Sequence, residues 1–538
     1  MSQDFNPERE RFGSASFADA RDIERAGLFE QTPESVFLGF HDQRALYHNG
    51  MAGQVIVGGA RSGKLRDLLA YSVCPGVHFG TALIVDPKGE LAAISRNQVI
   101  AKKHCVYWNP AGLHGLPQDR INPTGHIVKG SPTLVSDIRA FAHRMIGRSG
   151  GTNAVYFEET AERYLLPICL TLVMIHGVLR LPDLYDVLTA LPGGGEAWLD
   201  FAFEMSESGI HEAIEVEKEI AKARGSDTGG FRGVAGELLK TFAALSDPLL
   251  RASVSPPYTF DLAELTASDD RFHLYLMPPA EFIGPWSPVI KAILSTAQTL
   301  KSRAPGAPRQ TWMIDECAQL KNFGLIPELY SIGAGQGIRP VAVFQSTFQM
   351  NALGPDAENI ITSSAAVRQY FSIRDLPSAQ TVSRMLGSQT LEYNDELQQA
   401  RAEYAKREAL SVLVDGGDPL KAGAKLGHHA EAARHRTRQQ RWLRDPAEML
   451  ALPPDRQIIF ADGLPAPIYA ARKPFYDQAF MAGRYFPNPM YSSEPFVRVK
   501  TRFGVKRRRV ITGPVSPEHG HYRQYAGGQW SYIEGYKP

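Results

Sequence analysis

The sequence of 538 residues predicts an α/β fold in which an all-helical segment interrupts a parallel sheet. The first observation is a set of short apolar runs, separated by segments long enough for helices, as in a buried parallel sheet. The second is a change of period between about Ser136 and Ser246, where apolar residues recur at helical spacing and glycine runs separate the segments. The third is a glycine-rich loop directly after the first buried run.

The predicted elements follow from these patterns in chain order. Apolar runs predict strands at Gln54–Val57, Thr81–Val85, His104–Trp108, Phe272–Met277, Gln310–Ile314, Arg339–Phe344, Val367–Phe371 and Gln457–Ala461. Helical periodicity predicts helices at Val155–Val178, Leu181–Leu191, Ala197–Arg224 and Gly233–Ala244. Residues 1–50 are polar and mixed, residues 395–445 predict a charged helical segment with a glycine-rich break, and the segment from about 487 predicts a partly ordered tail.

Composition bounds the class of protein. Hydrophobic residues at 43%, charged residues at 21% and a formal net charge of +1 are typical of a globular chain, and nucleic-acid binding would need local basic patches. The four cysteines are widely spaced, which argues against a disulfide framework or a zinc site and favours a reducing compartment. The N-terminal residues show no secretory pattern, and the apolar run Leu165–Leu179 is too short to span a bilayer. We therefore expect a cytoplasmic protein; if it works at a membrane, a separate partner must hold it there.

A phosphate-binding loop follows the first predicted strand. Its residues are Gly58, Gly59, Ala60, Arg61, Ser62, Gly63, Lys64 and Leu65. Glycines let successive backbone N–H groups face a phosphate, the following helix adds positive potential, and Lys64 reaches the terminal phosphates. The residue after the lysine is normally Ser or Thr, whose hydroxyl ligates Mg²⁺. Because Leu65 has no such group, the sequence predicts ATP binding with weakened Mg²⁺ binding, and supports nucleotide binding better than hydrolysis.

Polar residues end two later strands. Asp315 and Glu316 follow the strand at Gln310–Ile314, where P-loop enzymes hold Mg²⁺ with the Asp and polarise water with the Glu. Gln345 follows the strand at Arg339–Phe344 and could sense a γ-phosphate or contact DNA. Asp86–Glu90, after another buried strand, has the composition of a simple turn.

Taken together, these residues resemble the type IV secretion coupling proteins, the TraG-type conjugative DNA transfer ATPases. The resemblance covers roughly residues 12 to 480, and the motifs occur in the order of that family. They are Phe12–Ala15, Asp22–Leu28, the P-loop, Asp86–Glu90, Trp108–Pro110, Ile121–Pro123, Phe157–Glu162, Leu245–Pro248, Asp315–Leu320, Gln345–Gln349, Asp375 and Leu386–Gly387.

The resemblance implies a RecA-like P-loop NTPase domain with an inserted all-α domain. We place the RecA-like domain at residues 1–135 and 247–486, the all-α insertion at 136–246 and a basic, Tyr- and Gly-rich tail at 487–538. By position in the family, Asp315 would hold Mg²⁺, and Glu316 and Gln345 would be the catalytic residues. The family also implies a hexamer, secretion-channel components as partners, and relaxase-bound DNA or protein effectors as cargo, at the inner membrane.

Three departures from the family bear on activity. The membrane segment that normally precedes Phe12 is missing, Leu65 replaces the hydroxyl residue, and the stretch Ser331–Gly337 lacks the arginine that many relatives place there. The loss of such an arginine slows hydrolysis in P-loop enzymes. Three hypotheses therefore stay open: an active coupling ATPase, a degenerate pseudo-ATPase that serves as a docking platform, and a DNA translocase or packaging motor outside conjugation.

Two basic stretches are candidate nucleic-acid or partner contacts. One contains Arg436, Arg438 and Arg441, and the other contains Lys506, Arg507, Arg508 and Arg509. Both have aromatic residues nearby, which suits phosphate contacts combined with base stacking. A solvated surface or a basic tail is the alternative interpretation for each stretch.

Overall fold

The computed structural model describes residues 13–147, 152–225, 229–267, 269–394, 436–492 and 494–538, together with isolated positions between 400 and 411. The chain divides into two units. The larger unit comprises residues 20–372, 454–464 and 469–538, and the smaller unit comprises residues 1–19, 373–453 and 465–468.

The described strands are β1 (Val36–His41), β2 (Arg44–His48), β3 (Gln54–Gly58), β4 (Thr81–Val85), β5 (Lys103–Trp108), β6 (Arg271–Leu276), β7 (Gln310–Ile314), β8 (Ile338–Phe344), β9 (Val367–Phe371), β10 (Ser388–Asn394), β11 (Arg436–Trp442), β12 (Arg456–Ala461), β13 (Ile468–Ala471), β14 (Phe496–Thr501), β15 (Gly504–Pro514) and β16 (Gln529–Ile533). Eleven of them form one sheet in the order β2-β1-β13-β12-β9-β3-β8-β7-β4-β6-β5.

The centre of this sheet is parallel and buried. Strands β9, β3, β8, β7, β4, β6 and β5 pair in parallel, whereas β12 pairs with β9, and β1 with β13 and β2, antiparallel. Every residue of β3, β4, β7 and β8 is buried, as expected for strands covered on both faces. The predicted strands are therefore confirmed, with ends that differ by at most one residue.

The described helices are α1 (Ala20–Arg25), α2 (Ala70–Val73), α3 (Glu90–Ser95), α4 (Leu134–Met145), α5 (Thr152–His176), α6 (Leu181–Ala190), α7 (Glu196–Glu207), α8 (His211–Gly225), α9 (Gly229–Phe242), α10 (Pro248–Ser253), α11 (Glu264–Ala267), α12 (Ser287–Arg303), α13 (Leu325–Gln336), α14 (Ala357–Ser364), α15 (Leu376–Leu386) and α16 (Pro446–Leu450). A π-helix at Leu65–Leu69 precedes α2. Short 3-10 helices lie at Leu113–Gly115, Ala243–Ser246, Cys317–Leu320, Thr347–Leu353, Phe475–Asp477, Ala479–Met481, Pro517–His519 and Arg523–Tyr525.

The helical insertion separates two adjacent strands. Helices α4 to α11 all fall between β5 and β6, which pair directly in the sheet. The insertion buries large side chains such as Trp198 and Met205. The helix predicted at Ala197–Arg224 is two helices, α7 and α8, because Gly209 between them adopts a left-handed φ of +69°. At the end of the insertion the Asp247 carboxylate accepts hydrogen bonds from the N–H groups of Leu249 and Leu250 and so caps α10.

The C-terminal residues correct one prediction. Strands β14, β15 and β16 form a three-stranded antiparallel sheet. Val497, Val499 and Ile533 of this sheet are buried in the core that also contains residues of β3 and β4. The expectation of a partly ordered tail after residue 487 is therefore wrong, because alternate apolar side chains anchor the segment. Likewise β1 and β2 lie in the N-terminal stretch that the sequence showed only as polar and mixed. The proposed domain boundaries stay a prediction.

The smaller unit contains α15, α16 and the two-stranded sheet of β10 and β11. The Asp375 carboxylate caps α15, and Asp445 and Glu448 form a reciprocal capping box on α16. Residues 436–442, expected to be helical, form the strand β11. Most of residues 395–435 lie outside the described residues, together with the helix predicted there.

Candidate nucleotide site

The P-loop connects β3, near the centre of the sheet, to the π-helix at Leu65–Leu69. Two of its glycines are required by geometry. A Cβ on Gly58 would lie 2.4 Å from the Phe371 ring, and Gly63 has a φ of +84° and would place a Cβ 2.6 Å from the Asp67 carboxylate. The Lys64 ammonium donates hydrogen bonds to the carbonyl oxygens of Gly58 (2.9 Å) and Gly59 (3.5 Å). The loop therefore folds around its own lysine.

A buried ion pair that the sequence analysis missed lies beneath this loop. The side chains of Arg472 and Asp67 are both buried. The Arg472 guanidinium donates hydrogen bonds to the Asp67 carboxylate (3.3 Å) and to the carbonyl oxygen of Ser62 (2.7 Å). The same guanidinium also donates to the Pro454 carbonyl and lies 3.8 Å from the centre of the Phe371 ring. Burial lowers the pKa of Arg472 to about 10, and Asp67 opposes this shift. No local pattern could reveal this pair, because its partners lie 405 positions apart.

Leu65, where a metal-binding hydroxyl was expected, is partly buried and packs against the hydrophobic core of the larger unit. Next to it, Arg66 donates two hydrogen bonds to the Asp67 carboxylate, at 2.6 and 3.0 Å. Leu65 therefore contributes apolar contacts in place of an oxygen ligand.

The acidic residues lie at the same edge of the sheet as the P-loop. Strands β3, β8, β7 and β4 are consecutive neighbours, so Lys64, Gln345, Asp315 and Asp86 all follow the carboxyl ends of adjacent parallel strands. The Gln345 side-chain amide donates to both carboxylate oxygens of Glu316, at 3.0 and 3.3 Å. Glu316 has a left-handed φ of +52°, which turns the chain sharply after β7. The predicted residues are thus brought together, although their catalytic roles stay a prediction.

The carboxylates and Lys64 influence one another electrostatically. Burial raises the pKa of Asp315 to about 6, and the charge of Glu316 raises it further while Lys64 opposes the shift. Burial likewise raises the pKa of Asp86 to about 7, with an added contribution from Asp315. The Lys64 pKa is lowered by burial, and the two carboxylates of the β7 end oppose that shift. A cation placed beside Asp315 and Asp86 would relieve this repulsion.

Asp86 has a structural role in addition to its charge. Its buried carboxylate accepts a hydrogen bond from the Ala92 N–H (2.9 Å), and Gly89 turns the chain with a φ of +64°. The turn predicted for Asp86–Glu90 is present and starts α3. The described residues contain no group of three or more His, Cys, Asp or Glu side chains suited to a metal. A Mg²⁺ ion would therefore need phosphate oxygens and water besides a carboxylate, which is its usual coordination in nucleotide sites.

The fold and site geometry agree with comparisons to known proteins. A family model described as "Type IV secretory system Conjugative DNA transfer" matches residues 10–412, well over half of the chain. The chain belongs to this family. The sequence-based resemblance to the type IV coupling proteins is thereby confirmed, and with it a coupling role in type IV secretion.

Solved structures of similar fold are coupling proteins as well. The bacterial conjugative coupling protein TrwBdeltaN70, in an unbound form, is 18% identical with a TM-score of 0.56, over 86% of this chain and 97% of that chain. The plasmid coupling protein TrwB in complex with ADP and Mg²⁺ is 17% identical with a TM-score of 0.57, over 86% and 96%. TrwB with the non-hydrolysable ATP analogue ADPNP is 16% identical with a TM-score of 0.56, over 86% and 96%. At these identities the likeness establishes the fold, a RecA-like domain with an all-α insertion. A search of curated proteins found no match.

The positions of the arginines near the site bear on hydrolysis. Residues 331–336, where the sequence analysis sought an arginine, belong to α13 and contain none. Arg339 is the second residue of β8, at the opposite edge of the sheet from the P-loop. Its fully buried guanidinium donates to the Gly50 carbonyl (2.9 Å) and the Thr311 hydroxyl (2.9 Å). The Arg339 guanidinium is therefore enclosed within its own chain. Arg61, in the P-loop itself, is exposed.

The basic stretches of this coupling-family chain lie on two strands. Arg441, on β11, is exposed and pairs with Glu448 at 2.7 Å. The backbones of Arg436 and Arg438 pair with β10, while their side chains lie outside the described residues. Lys506 to Arg509 lie on β15 in the larger unit. Their role as nucleic-acid contacts stays a prediction. Within the part of the chain that the structure describes, no helix is long and apolar enough to span a bilayer.

Proposed function

We propose that this coupling-family chain binds ATP with Mg²⁺ at residues 58–65 and hydrolyses it slowly. The observation that carries the proposal is the convergence of Lys64, Asp315, Glu316 and Gln345 at one sheet edge. The backbone N–H groups of the glycine-rich loop and Lys64 would hold the phosphates. Asp315 would hold the metal, which neutralises phosphate charge when bound.

Glu316 is proposed as the acceptor of a proton from water. Its carboxylate is oriented by the Gln345 amide at 3.0 Å, so a change at Gln345 moves the carboxylate directly. Because the two residues end neighbouring strands, a shift of β8 against β7 would alter the pair. This arrangement supports Gln345 as the residue that couples the nucleotide site to the rest of the sheet.

The pseudo-ATPase alternative is supported by one observation. Leu65 packs against the core, so no hydroxyl completes the metal shell. The exposed Arg61 is the remaining loop arginine that a neighbouring subunit could use, because Arg339 is enclosed. The missing hydroxyl would lower hydrolysis without removing the phosphate cradle, and a docking platform that binds nucleotide is therefore the second candidate function.

The finer assembly is proposed from the family. We propose a homo-hexamer that receives DNA, relaxase-bound DNA or protein effectors and passes them to channel components, with a separate partner holding it at the inner membrane. The RecA-like domain at 1–135 and 247–486 would contain the nucleotide site, and the insertion at 136–246 would face the cargo.

A binding titration tests the nucleotide site. A fluorescent ATP analogue is titrated into the full chain and into Lys64→Ala, with Lys222→Ala, an exposed lysine on α8, as the matched control. We expect Lys64→Ala to weaken binding at least about tenfold, because a charged hydrogen bond of about 1.5–3 kcal/mol is lost, and Lys222→Ala to leave it unchanged. Equal binding by Lys64→Ala and wild type, or no binding by either at millimolar concentration, would exclude the proposed site.

A further inference from the structure

The hairpin formed by β14 and β15 has one open face that is basic. Opposite residues of an antiparallel pair share a face, and the pairs Arg498–Arg507 and Phe496–Arg509 alternate with Val497–Arg508 and Val499–Lys506. Val497 and Val499 are buried, so the first set lies on the open face. Arg498, Lys500, Arg507 and Arg509 are all exposed there.

The charge of this region contrasts with that of the whole chain. Residues 487–538 contain nine Lys and Arg and three Glu, a net charge of +6. Since the whole chain carries +1, the remaining residues carry −5. Among the described basic side chains of the hairpin, the one that forms an ion pair is Arg507, and its partner is Glu494. Both side chains of this pair are more than half exposed. Positive charge therefore remains available to an anionic partner.

Aromatic groups accompany these charges. Phe503, in the turn between the two strands, is 86% exposed. On the open face the Arg507 guanidinium lies 4.1 Å from the centre of the Phe496 ring, which presents a planar cation outward. Basic side chains two residues apart on one strand are about 7 Å apart, so the face offers a row of regularly spaced cations.

We propose that this open face binds single-stranded nucleic acid. Arg498, Lys500 and Arg509 contact successive backbone phosphates, and a base stacks on Phe503. A duplex hides the faces of its bases, whereas a single strand offers them to an aromatic ring in an exposed turn. A lipid surface fits less well, because the face is mainly charged and presents few apolar side chains for insertion.

The hairpin is tied to the helix that begins beside the nucleotide site. The Tyr485 hydroxyl donates to the Arg498 carbonyl, and the Phe486 N–H donates to the Ile94 carbonyl of α3 at 2.8 Å. Asn488 donates to Glu90, the first residue of α3, at 2.6 Å. Nucleic acid on this face would thus be held on the same unit as the P-loop. The inference rests on one part of the proposed function, that the cargo includes nucleic acid, and does not depend on ATP hydrolysis.

Fluorescence anisotropy with the full chain tests the proposal. The probes are a labelled single-stranded oligonucleotide of about 20 nucleotides, longer than the site of a typical single-strand binding fold, the same sequence as a duplex, and vesicles containing phosphatidylglycerol. We expect Phe503→Ala to weaken single-strand binding about fivefold or more. The triple variant Arg498→Gln, Lys500→Gln, Arg509→Gln should lower the slope of log affinity against log salt by about 2, or about 0.7 per phosphate contact.

Two controls separate this surface from other effects. Arg25→Gln, Arg44→Gln, Arg309→Gln removes the same charge from exposed positions outside both the hairpin and the helical insertion, and should bind like wild type. Lys64→Ala should also bind the single strand normally, even if the nucleotide site fails. The proposal is overturned if the hairpin variants bind like wild type, if the duplex or the vesicles bind in preference to the single strand, or if wild type binds none of the probes. Unchanged circular dichroism of the exposed-site variants excludes misfolding as the cause of a loss.

Discussion

Replacing Arg472 by methionine is expected to destabilise the larger unit and to weaken the support of the P-loop. The substitution keeps most of the side-chain volume but removes the guanidinium that binds the Ser62 carbonyl, the Pro454 carbonyl and the Asp67 carboxylate. The Arg472 side chain that makes these contacts is fully buried. The variant therefore leaves a buried carboxylate and two carbonyl groups short of a partner.

The expected loss in the free energy of unfolding depends on which hydrogen bonds Asp67 keeps in the variant. Breaking a buried ion pair by removing one partner costs about 3–5 kcal/mol. Arg66 keeps its two hydrogen bonds to the Asp67 carboxylate, so the cost falls at the low end, about 3 kcal/mol. That is roughly a hundredfold in the unfolding equilibrium. Because Ser62 belongs to the P-loop, we also expect affinity for an ATP analogue to fall about tenfold, since small misplacements of binding groups are costly.

Urea unfolding followed by tryptophan fluorescence measures the effect. Trp442 is first replaced by phenylalanine, so that the remaining tryptophans report the larger unit. Arg456→Met is the matched control, because Arg456 forms a half-exposed pair with Asp455 at 3.7 Å, worth about 0–1 kcal/mol. If Arg472→Met unfolds within about 1 kcal/mol of its parent and binds the analogue equally well, the ion pair does not hold the loop.

Two further predictions concern the metal and the carboxylates. Basal ATP turnover should lie below about 1 s⁻¹, and Leu65→Thr should raise it by supplying a ligand; brisk turnover that Leu65→Thr does not change would mean that another group completes the metal shell. The pKa values of Asp86 and Asp315, about 7 and about 6, lie above the ordinary value of 3.8, so the folded chain binds their protons more tightly than the unfolded chain does. The melting temperature of the ligand-free chain should therefore fall as pH rises from about 4 to about 7, and Asp86→Asn should reduce that fall; an equal fall in the variant would contradict the assignment.

Much of the candidate site was predictable because its motifs are local. A strand, a glycine-rich loop and a lysine are contiguous in sequence, and so are the apolar strand and the acids Asp315 and Glu316. Lys64, Asp315 and Gln345 each follow a predicted strand, and parallel strands place their carboxyl ends at one edge of the sheet. The helix α7–α8 was mispredicted as continuous, since a glycine within a helical pattern does not by itself show whether the chain turns.

The α/β class, the parallel strands, the helical insertion and the family were predictable from the residues, because each depends on periodicity or on contiguous motifs. The remaining features became visible only in the folded chain. Arg472 beneath the P-loop, the burial of Arg339 and the open face of the β14–β15 hairpin all depend on segments that are distant in the chain meeting in space. Residues 487–538 show the difference: their basic and aromatic composition suggested a tail, but alternate valines on one face of a strand were enough to anchor a sheet. Burial of that face is what leaves the arginines on the other face exposed.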